Sequence, residues 1–381
     1  MTEPKSTDEI QALWLGLMLT PGLGPRGIER LLEYFSRIEA IYSASLTELE
    51  HCQIAPAAAQ YLHHGRAREE GERELARTKA ANATILLRSQ PEYPELLRQI
   101  TDAPFLLYVR GSLAALSLPG IALVGTRRPT PYGKLMAERL GRDLARHGLA
   151  IISGLARGID AIGHQGCLEG QGTAVAVLGT GVDKIYPREN THLADQILAQ
   201  NGALISEFAL GTPATPQNFP LRNRIISGLS LGVLVIEGGE FSGSRITSRL
   251  ALEQNREVYA VPGLVTEKKS WLPNSLLRDG ARLVREAVDL IEDLPAWVRP
   301  LLVEPSGTPS DPAHDGTAAQ LSLSGRAILD RLRFDAAIQL DELQASLSEP
   351  MPVPELLALL LDLEMGGWVK QLPGQNYVKI Q

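Results

Sequence analysis

Residue types suited to holding phosphate are concentrated between residues 202 and 263. Residues 218–230 (NFPLRNRIISGLS) combine arginines, an asparagine and an aromatic ring, and the apolar run 233–236 has the β-branched content of a buried strand. The glycine- and serine-rich segment 237–247 (EGGEFSGSRIT) comes next and leads into an expected helix. A strand that ends in such a loop offers backbone N–H groups and a helix dipole to an anion. We therefore predict a phosphate site, and the neighbouring cations and aromatic favour a nucleic-acid strand over a small nucleotide.

Four side chains in this stretch are the first candidates for contact with the strand. Arg222 and Arg224 flank Asn223, and we expect these residues to contact phosphate. The alternative is that the arginines bind carbonyl oxygens at the start of a helix. Phe219 lies between two prolines, which predicts a loop, where the ring would either stack on a base or belong to the core.

The elements that must position these residues alternate between strand and helix from residue 121 to residue 284. Expected strands cover residues 121–124, 150–152, 173–178, 203–205, 231–236, 257–261 and 282–284. Expected helices cover residues 131–147, 158–170, 193–200, 223–227 and 244–254. This alternation predicts an α/β fold with a parallel, doubly wound sheet, whose ligands bind beyond the carboxyl ends of the strands.

Five loops follow the expected strands at that edge: 125–130 (GTRRPT), 153–160 (SGLARGID), 179–187 (GTGVDKIYP), 206–221 and 237–244. Most of them place glycines beside hydroxyl or basic side chains, so we expect one composite site. Its further candidates are Arg127, Arg128, Gly154, Arg157, Lys184, Gly243 and Ser244. At least one of the adjacent arginines 127 and 128 should face the site, whereas Arg157 and Lys184 could equally be solvated surface cations.

Catalysis by a nucleophilic triad is the alternative use of the second loop. Ser153, Asp160 and His164 come from one loop and the helix after it, but the serine lacks the sequence of a nucleophile elbow. We interpret Asp160 as an early helix residue facing the dipole and His164 as its partner four residues on.

Two carboxylates, Glu207 and Glu237, follow strands that we expect to be adjacent, and paired carboxylates can do acid/base work. They could also hold Arg222 or Arg224 in place, which we favour. The sequence has no G-x-x-x-x-G-K-[ST] segment for ATP hydrolysis. We therefore expect a protein that is not an enzyme and that uses no cofactor.

The chain divides into four parts by pattern. Residues 1–82 predict short helices, and Pro21–Pro25 resembles a helix-hairpin-helix turn, although a plain interhelical turn explains it as well. Residues 83–298 are the sheet domain, and 299–320, rich in proline, serine and glycine, predict a linker. Residues 321–381 predict a winged-helix-like module, but five basic against eight acidic residues argue for protein contact rather than DNA reading.

Composition places this site on an acidic, soluble protein. The chain has 381 residues, 44% hydrophobic and 21% charged, with a net charge of -7 and a pI near 5.6. Such a charge excludes a protein that coats nucleic acid by bulk charge, so the site must be a local basic groove. Two cysteines make neither a disulfide framework nor a cysteine-only metal site, and no segment approaches membrane-spanning length. We expect a cytoplasmic protein without membrane contact.

These loops resemble those of the DprA/Smf family, bacterial DNA-processing proteins of natural transformation. The shared motifs are YPELL…DAPFLLYVRG, VGTRRPTPYG, ISGLARGIDAIGH, AVLGTGVDKIYPREN, LISEF, FPLRNRIISGLS, VIEGGEFSGSRIT and AVPG. The resemblance implies a Rossmann-like core that binds single-stranded DNA and forms a homodimer. It also implies protection of incoming DNA and its delivery to the RecA recombinase. Carried over by position, the DNA-binding residues are Arg127, Gly154, Arg157, Phe219, Arg222, Asn223, Arg224, Gly243 and Ser244.

Two departures from the family pattern stand out. Leu272 replaces a usual glycine, which should change the local loop conformation and one wall of the groove, and Gly163 replaces a common alanine. Two other readings stay open at this stage. The loop at 237–247 also looks like the phosphate loop of nucleoside-monophosphate phosphoribohydrolases, which would use Glu237 with an arginine. The other possibility is an adaptor protein whose core has lost its affinity for DNA.

Overall fold

Among the residues that the structure describes, six helices precede the first strand. They are α1 (Thr7–Leu19), α2 (Pro25–Phe35), α3 (Ile38–Ile41), α4 (Leu46–His51), α5 (Pro56–His63) and α6 (Arg66–Ala80). They enclose an apolar core of their own that includes Leu17, Leu31 and Leu49. Gly22, in the turn between α1 and α2, has a φ of +76°, and Arg26 is exposed in the first turn of α2. Phosphate binding by this turn stays a prediction.

A nine-stranded sheet forms the centre of the molecule in this computed structural model, which describes residues 6–303, 323–334, 336–347 and 351–379. The strands are β1 (Thr84–Leu87), β2 (Leu106–Gly111), β3 (Gly120–Val124), β4 (Ala150–Ser153), β5 (Ala174–Val177), β6 (Ala203–Ser206), β7 (Gly232–Val235), β8 (Glu257–Ala260) and β9 (Arg282–Leu283). Their order is β1-β2-β6-β5-β4-β3-β7-β8-β9. Strands β3 to β9 pair in parallel, whereas β1 and β2 pair antiparallel at one edge. The predicted α/β fold with a parallel sheet is confirmed.

Helices cover both faces of this sheet. They are α7 (Glu95–Arg98), α8 (Pro131–Arg146), α9 (Ile159–Glu169), α10 (Thr191–Ala199), α11 (Asn218–Gly228), α12 (Ser244–Glu253), α13 (Trp271–Arg278) and α14 (Ala287–Ile291). Helices α8, α9, α10 and α14 share one apolar core, and α7, α11, α12 and α13 share the core on the opposite face. The sheet is therefore doubly wound, as the alternation predicted.

Two helices differ from the expectation in ways that matter for the site. Helix α11 begins at Asn218, not at residue 223, so Phe219 lies in a first helical turn rather than in a loop. Helix α13 was not expected; its first turn contains Leu272, which is buried and donates its N–H to the Gly238 carbonyl oxygen at 2.8 Å. This leucine thus supports the loop after β7 instead of opening a wall of the groove. Gly163 lies in the buried contact between α8 and α9.

The C-terminal module has α15 (Leu323–Arg331), β10 (Ile338–Gln339), α16 (Leu340–Ser346), α17 (Val353–Met365), β11 (Val369–Leu372) and β12 (Asn376–Lys379). Three helices and a three-stranded sheet, ordered β10-β12-β11, make the predicted winged-helix arrangement. Residues 299–303 still contact the sheet domain, since the Val303 N–H bonds to the His147 carbonyl oxygen at 3.0 Å. The rest of the predicted linker, 304–320, lies outside the described residues. Within the described ranges, no helix has the length and apolar character needed to cross a membrane.

Candidate nucleic-acid interface

A groove opens beyond the carboxyl ends of β3 and β7. The chain winds from β3 through β4, β5 and β6 on one side and then through β7, β8 and β9 on the other, so the direction of winding reverses here. Ligands of doubly wound sheets bind at such reversal points. The groove encloses about 820 Å³ and is lined from segments 124–127, 216–226 and 239–247, with Ala156, Asp160 and Tyr186. We call it the switch-point groove.

One wall combines a cation with two aromatic rings. The Arg127 guanidinium lies 5.9 Å from the centroid of the Phe219 ring, and the centroid of the Tyr186 ring lies 5.6 Å from the same point. Arg127 and Tyr186 are exposed, and Phe241 in the loop after β7 is 92% exposed. Rings and a guanidinium at one surface can stack on bases while the cation meets phosphate.

Tyr186 and Phe241 were missed at the sequence level. Each is the single aromatic in a glycine-bearing loop at the predicted ligand edge, in the segments GTGVDKIYP and EGGEFSGS. An aromatic residue in such a loop is more often used for binding than for core packing. A lone aromatic in a glycine-bearing loop at the ligand edge is therefore a signal that the sequence already contained.

The opposite wall is the loop that leads into α12. Ser242 Oγ and Ser244 Oγ lie 2.7 Å apart, and Gly243 is exposed between them. The N–H groups of Arg245 and Ile246 bond to the carbonyl oxygens of Ser242 and Gly243, both at 3.1 Å. Two of the backbone N–H groups at the start of α12 are thus already hydrogen-bonded within the loop. The hydroxyls of Ser242 and Ser244 are therefore the polar groups best placed to bind an anion.

Arg222 lies in the floor of the groove and is only 5% exposed. Its Nη1 donates to the carbonyl oxygens of Gly154, at 2.8 Å, and Val177. Burial lowers the pKa of this guanidinium to about 10, so it stays charged at neutral pH. The geometry is that of the carbonyl-binding alternative, in which the arginine joins the ends of β4 and β5 to α11.

Gly154 and Asp160 complete this floor. A Cβ on residue 154 would come within 2.5 Å of the Arg222 guanidinium, so any larger residue there would displace this arginine from its carbonyl partners. Asp160 Oδ2 accepts the Gly154 N–H at 3.1 Å. Burial raises the pKa of this carboxyl, while the nearby Arg222 opposes the shift.

The structure brings most of the predicted site residues together. Six line the switch-point groove: Arg127, Phe219, Arg222, Asn223, Gly243 and Ser244. Gly154 and Arg157 line a small adjoining cleft with Arg127, Tyr186 and Phe219. Arg157 binds Glu189 through two hydrogen bonds of 2.7 and 2.8 Å at the surface.

Three predicted residues line neither the groove nor the adjoining cleft: Arg128, Lys184 and Arg224. Arg128 is exposed on the loop after β3. The Lys184 ammonium donates to the Gly211 carbonyl oxygen at 2.6 Å. Arg224 forms ion pairs with Glu207 and, at 3.1 Å, with Asp102. Glu207 therefore holds Arg224 in place, which is the role that we favoured for this carboxylate.

The catalytic alternatives are not assembled. Ser153 Oγ donates to the Leu123 carbonyl oxygen at 2.6 Å. His164 is completely buried, and neither ring nitrogen meets the hydrogen-bond criteria with any of the described residues, so it is not the partner of Asp160. Burial lowers its pKa to about 4. No cluster of potential metal ligands occurs among the residues described.

Glu207 and Glu237 do not end adjacent strands, because β5, β4 and β3 separate β6 from β7. Nor does Glu237 hold an arginine. It is 1% exposed, and its two oxygens accept the N–H, at 2.9 Å, and the hydroxyl of Thr130 at the start of α8. This carboxylate fixes the loop after β3.

Comparison with known proteins gives consistent matches. The family model "DNA recombination-mediator protein A" matches residues 84–295, and the model "DprA winged helix domain" matches residues 312–375. Protein Smf of Escherichia coli is 39% identical over 301 residues, 76% of this chain and 75% of that protein. DNA processing protein DprA of Bacillus subtilis is 42% identical over 224 residues, 58% of this chain and 75% of that protein.

Two solved structures are similar to this chain. DNA processing protein A of Streptococcus pneumoniae aligns with a TM-score of 0.65 at 32% identity, covering 76% of this chain and 99% of that one. The Helicobacter pylori DNA processing protein A, whose structure concerns its single-stranded DNA binding mode, gives a TM-score of 0.50 at 29% identity. That alignment covers 56% of this chain and 99% of the other.

Proposed function

This chain belongs to the DprA/Smf family of DNA-processing proteins, and from that premise we propose that its switch-point groove binds single-stranded DNA. The single observation that supports the proposal most is the wall formed by Arg127, Phe219 and Tyr186, with exposed Phe241 on the neighbouring loop. Bases in a single strand are free to stack on such rings, whereas bases inside a duplex are not. Asn223, Ser242 and Ser244 supply hydrogen-bonding groups for the backbone.

The biological role that we propose follows the family. The protein protects incoming DNA in the cytoplasm during natural transformation and delivers it to the RecA recombinase as a homodimer. A surface beside the groove is suited to be the interface of this homodimer. Leu252 on α12 and Trp271 on α13 are 61% and 41% exposed. A depression of about 500 Å³ is lined by Leu252, Leu276 and Phe241. Large exposed apolar groups in one patch are typical of an interface.

We propose that the protein performs no chemistry on the bound strand. A phosphoribohydrolase would need Glu237 free to act, but Thr130 occupies both of its oxygens. Ser153 and His164 do not meet. Among the described residues, neither Glu237 nor the Ser153 and His164 pair is arranged to act on a bound strand as a general base or an activated nucleophile.

The test is fluorescence anisotropy of labelled oligo-dT over a salt series, with duplex competitor. Wild type should prefer the single strand. Arg127→Ala should weaken binding about tenfold and lower the slope of log affinity against log salt by about 0.7, because one phosphate contact is lost.

Arg128→Ala is the matched control, since it removes the same charge from the same loop but lies outside the groove lining. We expect its affinity and salt slope to stay near those of wild type. Equal losses in both variants would place the strand elsewhere. Absence of single-strand preference in wild type would favour the adaptor interpretation.

A further inference from the structure

The third helix of the winged-helix module, α17, is apolar on two faces. Its inner face, with Leu356, Leu360 and Leu363, is buried in the module. Four residues spaced four apart point outward: Val353, Leu357, Leu361 and Met365, which are 36%, 36%, 57% and 80% exposed. Residues four apart lie on one side of a helix. Pro354 and Ala358, also exposed, widen this surface, which we call the α17 outer stripe.

Nucleic acid does not fit the outer stripe. In winged-helix DNA readers the corresponding helix enters a groove of the duplex, and lysines and arginines around it meet the phosphates. Helices α16 and α17 contain neither lysine nor arginine. They carry the exposed acids Asp341, Glu342, Glu355 and Asp362, which would repel a phosphate backbone.

A second copy of this chain fits poorly as well. A 13-residue helix is about 20 Å long, so the stripe alone is far below the ~800 Å² per partner that a stable dimer buries. Antiparallel pairing of two copies would also bring Glu355 of one helix close to Asp362 of the other. Like charges at the edge of a small interface oppose association.

The stripe matches an occupant of opposite charge and similar length. Glu355 and Asp362 lie on the same flank of the stripe, because they are seven residues, two helical turns, apart. A helix with apolar anchors and lysine or arginine beside them would bury the four side chains and pair with this flank. Such helix-on-helix docking relies on anchors three or four residues apart.

We propose that the α17 outer stripe is a docking site for a basic amphipathic helix of a partner protein. The winged-helix fold is kept, but its reading helix recognises protein instead of DNA. This site is separate from the switch-point groove and does not depend on the function proposed for that groove.

The test uses a fluorescent synthetic amphipathic peptide of about 18 residues, with leucines on one face and lysines on its flanks. A matched peptide has glutamate in place of every lysine. With the full-length protein, anisotropy should show micromolar binding of the lysine peptide and at least about tenfold weaker binding of the glutamate peptide. Leu357→Ser/Leu361→Ser should weaken binding of the lysine peptide about tenfold or more.

Two further variants make the result specific. Glu355→Lys/Asp362→Lys should reverse the preference toward the glutamate peptide. Leu301→Ser removes an equally exposed leucine outside the module and should leave binding unchanged. Because the substituted side chains are exposed, circular dichroism melts should match wild type, which separates lost docking from lost folding.

Three outcomes would overturn the proposal. The first is that wild type binds neither peptide, or binds both equally. The second is self-association in sedimentation that disappears in Leu357→Ser/Leu361→Ser, which would make the stripe an interface between copies. The third is duplex DNA binding that depends on α17.

Discussion

The side chains in the floor of the switch-point groove have a different task from those on its walls. Arg222 is buried and bound to carbonyl oxygens, whereas Arg127 is exposed over an aromatic ring. The two arginines look equivalent in the sequence, since each lies in a motif at the ligand edge. Their difference arises from burial, which only the packing of α11 against the strand ends decides.

A buried histidine beneath this floor gives a pH-dependent prediction. The pKa of His164 falls from 6.5 to about 4 because of burial, so between these values the unfolded chain binds a proton that the folded chain excludes. The free energy of unfolding should therefore fall as the pH is lowered from 6.5 to 4, by up to about 3 kcal/mol from this group.

Replacing the histidine isolates its contribution. His164→Leu has a similar size and removes the titrating imidazole, so the fall in stability over this pH window should become shallower. Chemical denaturation at several pH values measures it. His192→Asn, on the exposed surface of α10, should keep the wild-type slope. An unchanged slope in His164→Leu would show that the ring is protonated in the folded protein.

Among the elements, the packing of α8 against α9 depends on small residues. A Cβ on Gly166 would lie 2.2 Å from the Glu138 carbonyl oxygen, a backbone atom that cannot move away by itself. Helix α9 follows the loop that contains Gly154, so separation of the two helices would also disturb the groove floor. We expect Gly166→Ala to lower the free energy of unfolding by about 1–3 kcal/mol.

Thermal and chemical denaturation provide the measurement for Gly166→Ala. Gly243→Ala is the matched control, because a Cβ at that position would have no atom within 4 Å. A loss of stability in both variants, or in neither, would contradict the close approach of α8 and α9.

The elements also show what the sequence can and cannot predict. Apolar runs identified the parallel strands because a strand buried on both faces must be continuously apolar. The start of α11 was missed because Pro216 and Pro220 around Phe219 suggested a loop, although proline is tolerated in a first helical turn. Helix α13, which has Pro273 in its first turn, was not predicted. With α11 beginning at Asn218, a rotation of 100° per residue places Phe219, Arg222, Asn223 and Ile226 on one face. Arg224 is then turned away from Arg222 by about 200°.

This correction explains why Arg224 lies outside the groove lining. The convergence of the loops could be predicted, since carboxyl ends of parallel strands share one edge. The partners of Arg224 and Lys184 could not be predicted from the sequence. The tertiary fold alone brings Glu207 and Asp102 to Arg224, and Gly211 to Lys184. Local sequence gives the type of a side chain but not which neighbour it meets.

On the scale of the whole molecule, the DNA binding that we propose for the switch-point groove takes place on a protein that is acidic overall. The net charge of -7 repels DNA over most of the surface, so a second groove supplied by another copy would add useful affinity. The exposed patch with Leu252 and Trp271 shares Phe241 and Gly243 with the groove surroundings. Association through this patch would therefore bring two grooves close together on one strand.

We predict that Leu252→Glu shifts a dimer toward the monomer, weakening self-association about a hundredfold, because it places a charge in an apolar contact. Sedimentation velocity over a concentration series measures this shift. Leu118→Glu adds the same charge at an exposed leucine just before β3, at the opposite end of the strands, and should leave self-association unchanged.

The monomeric variant should still bind a short oligonucleotide that fills one groove, but should lose about tenfold or more in affinity for a strand long enough to reach two grooves. If Leu252→Glu remains a dimer, the copies associate through another face, and the two grooves need not share a strand.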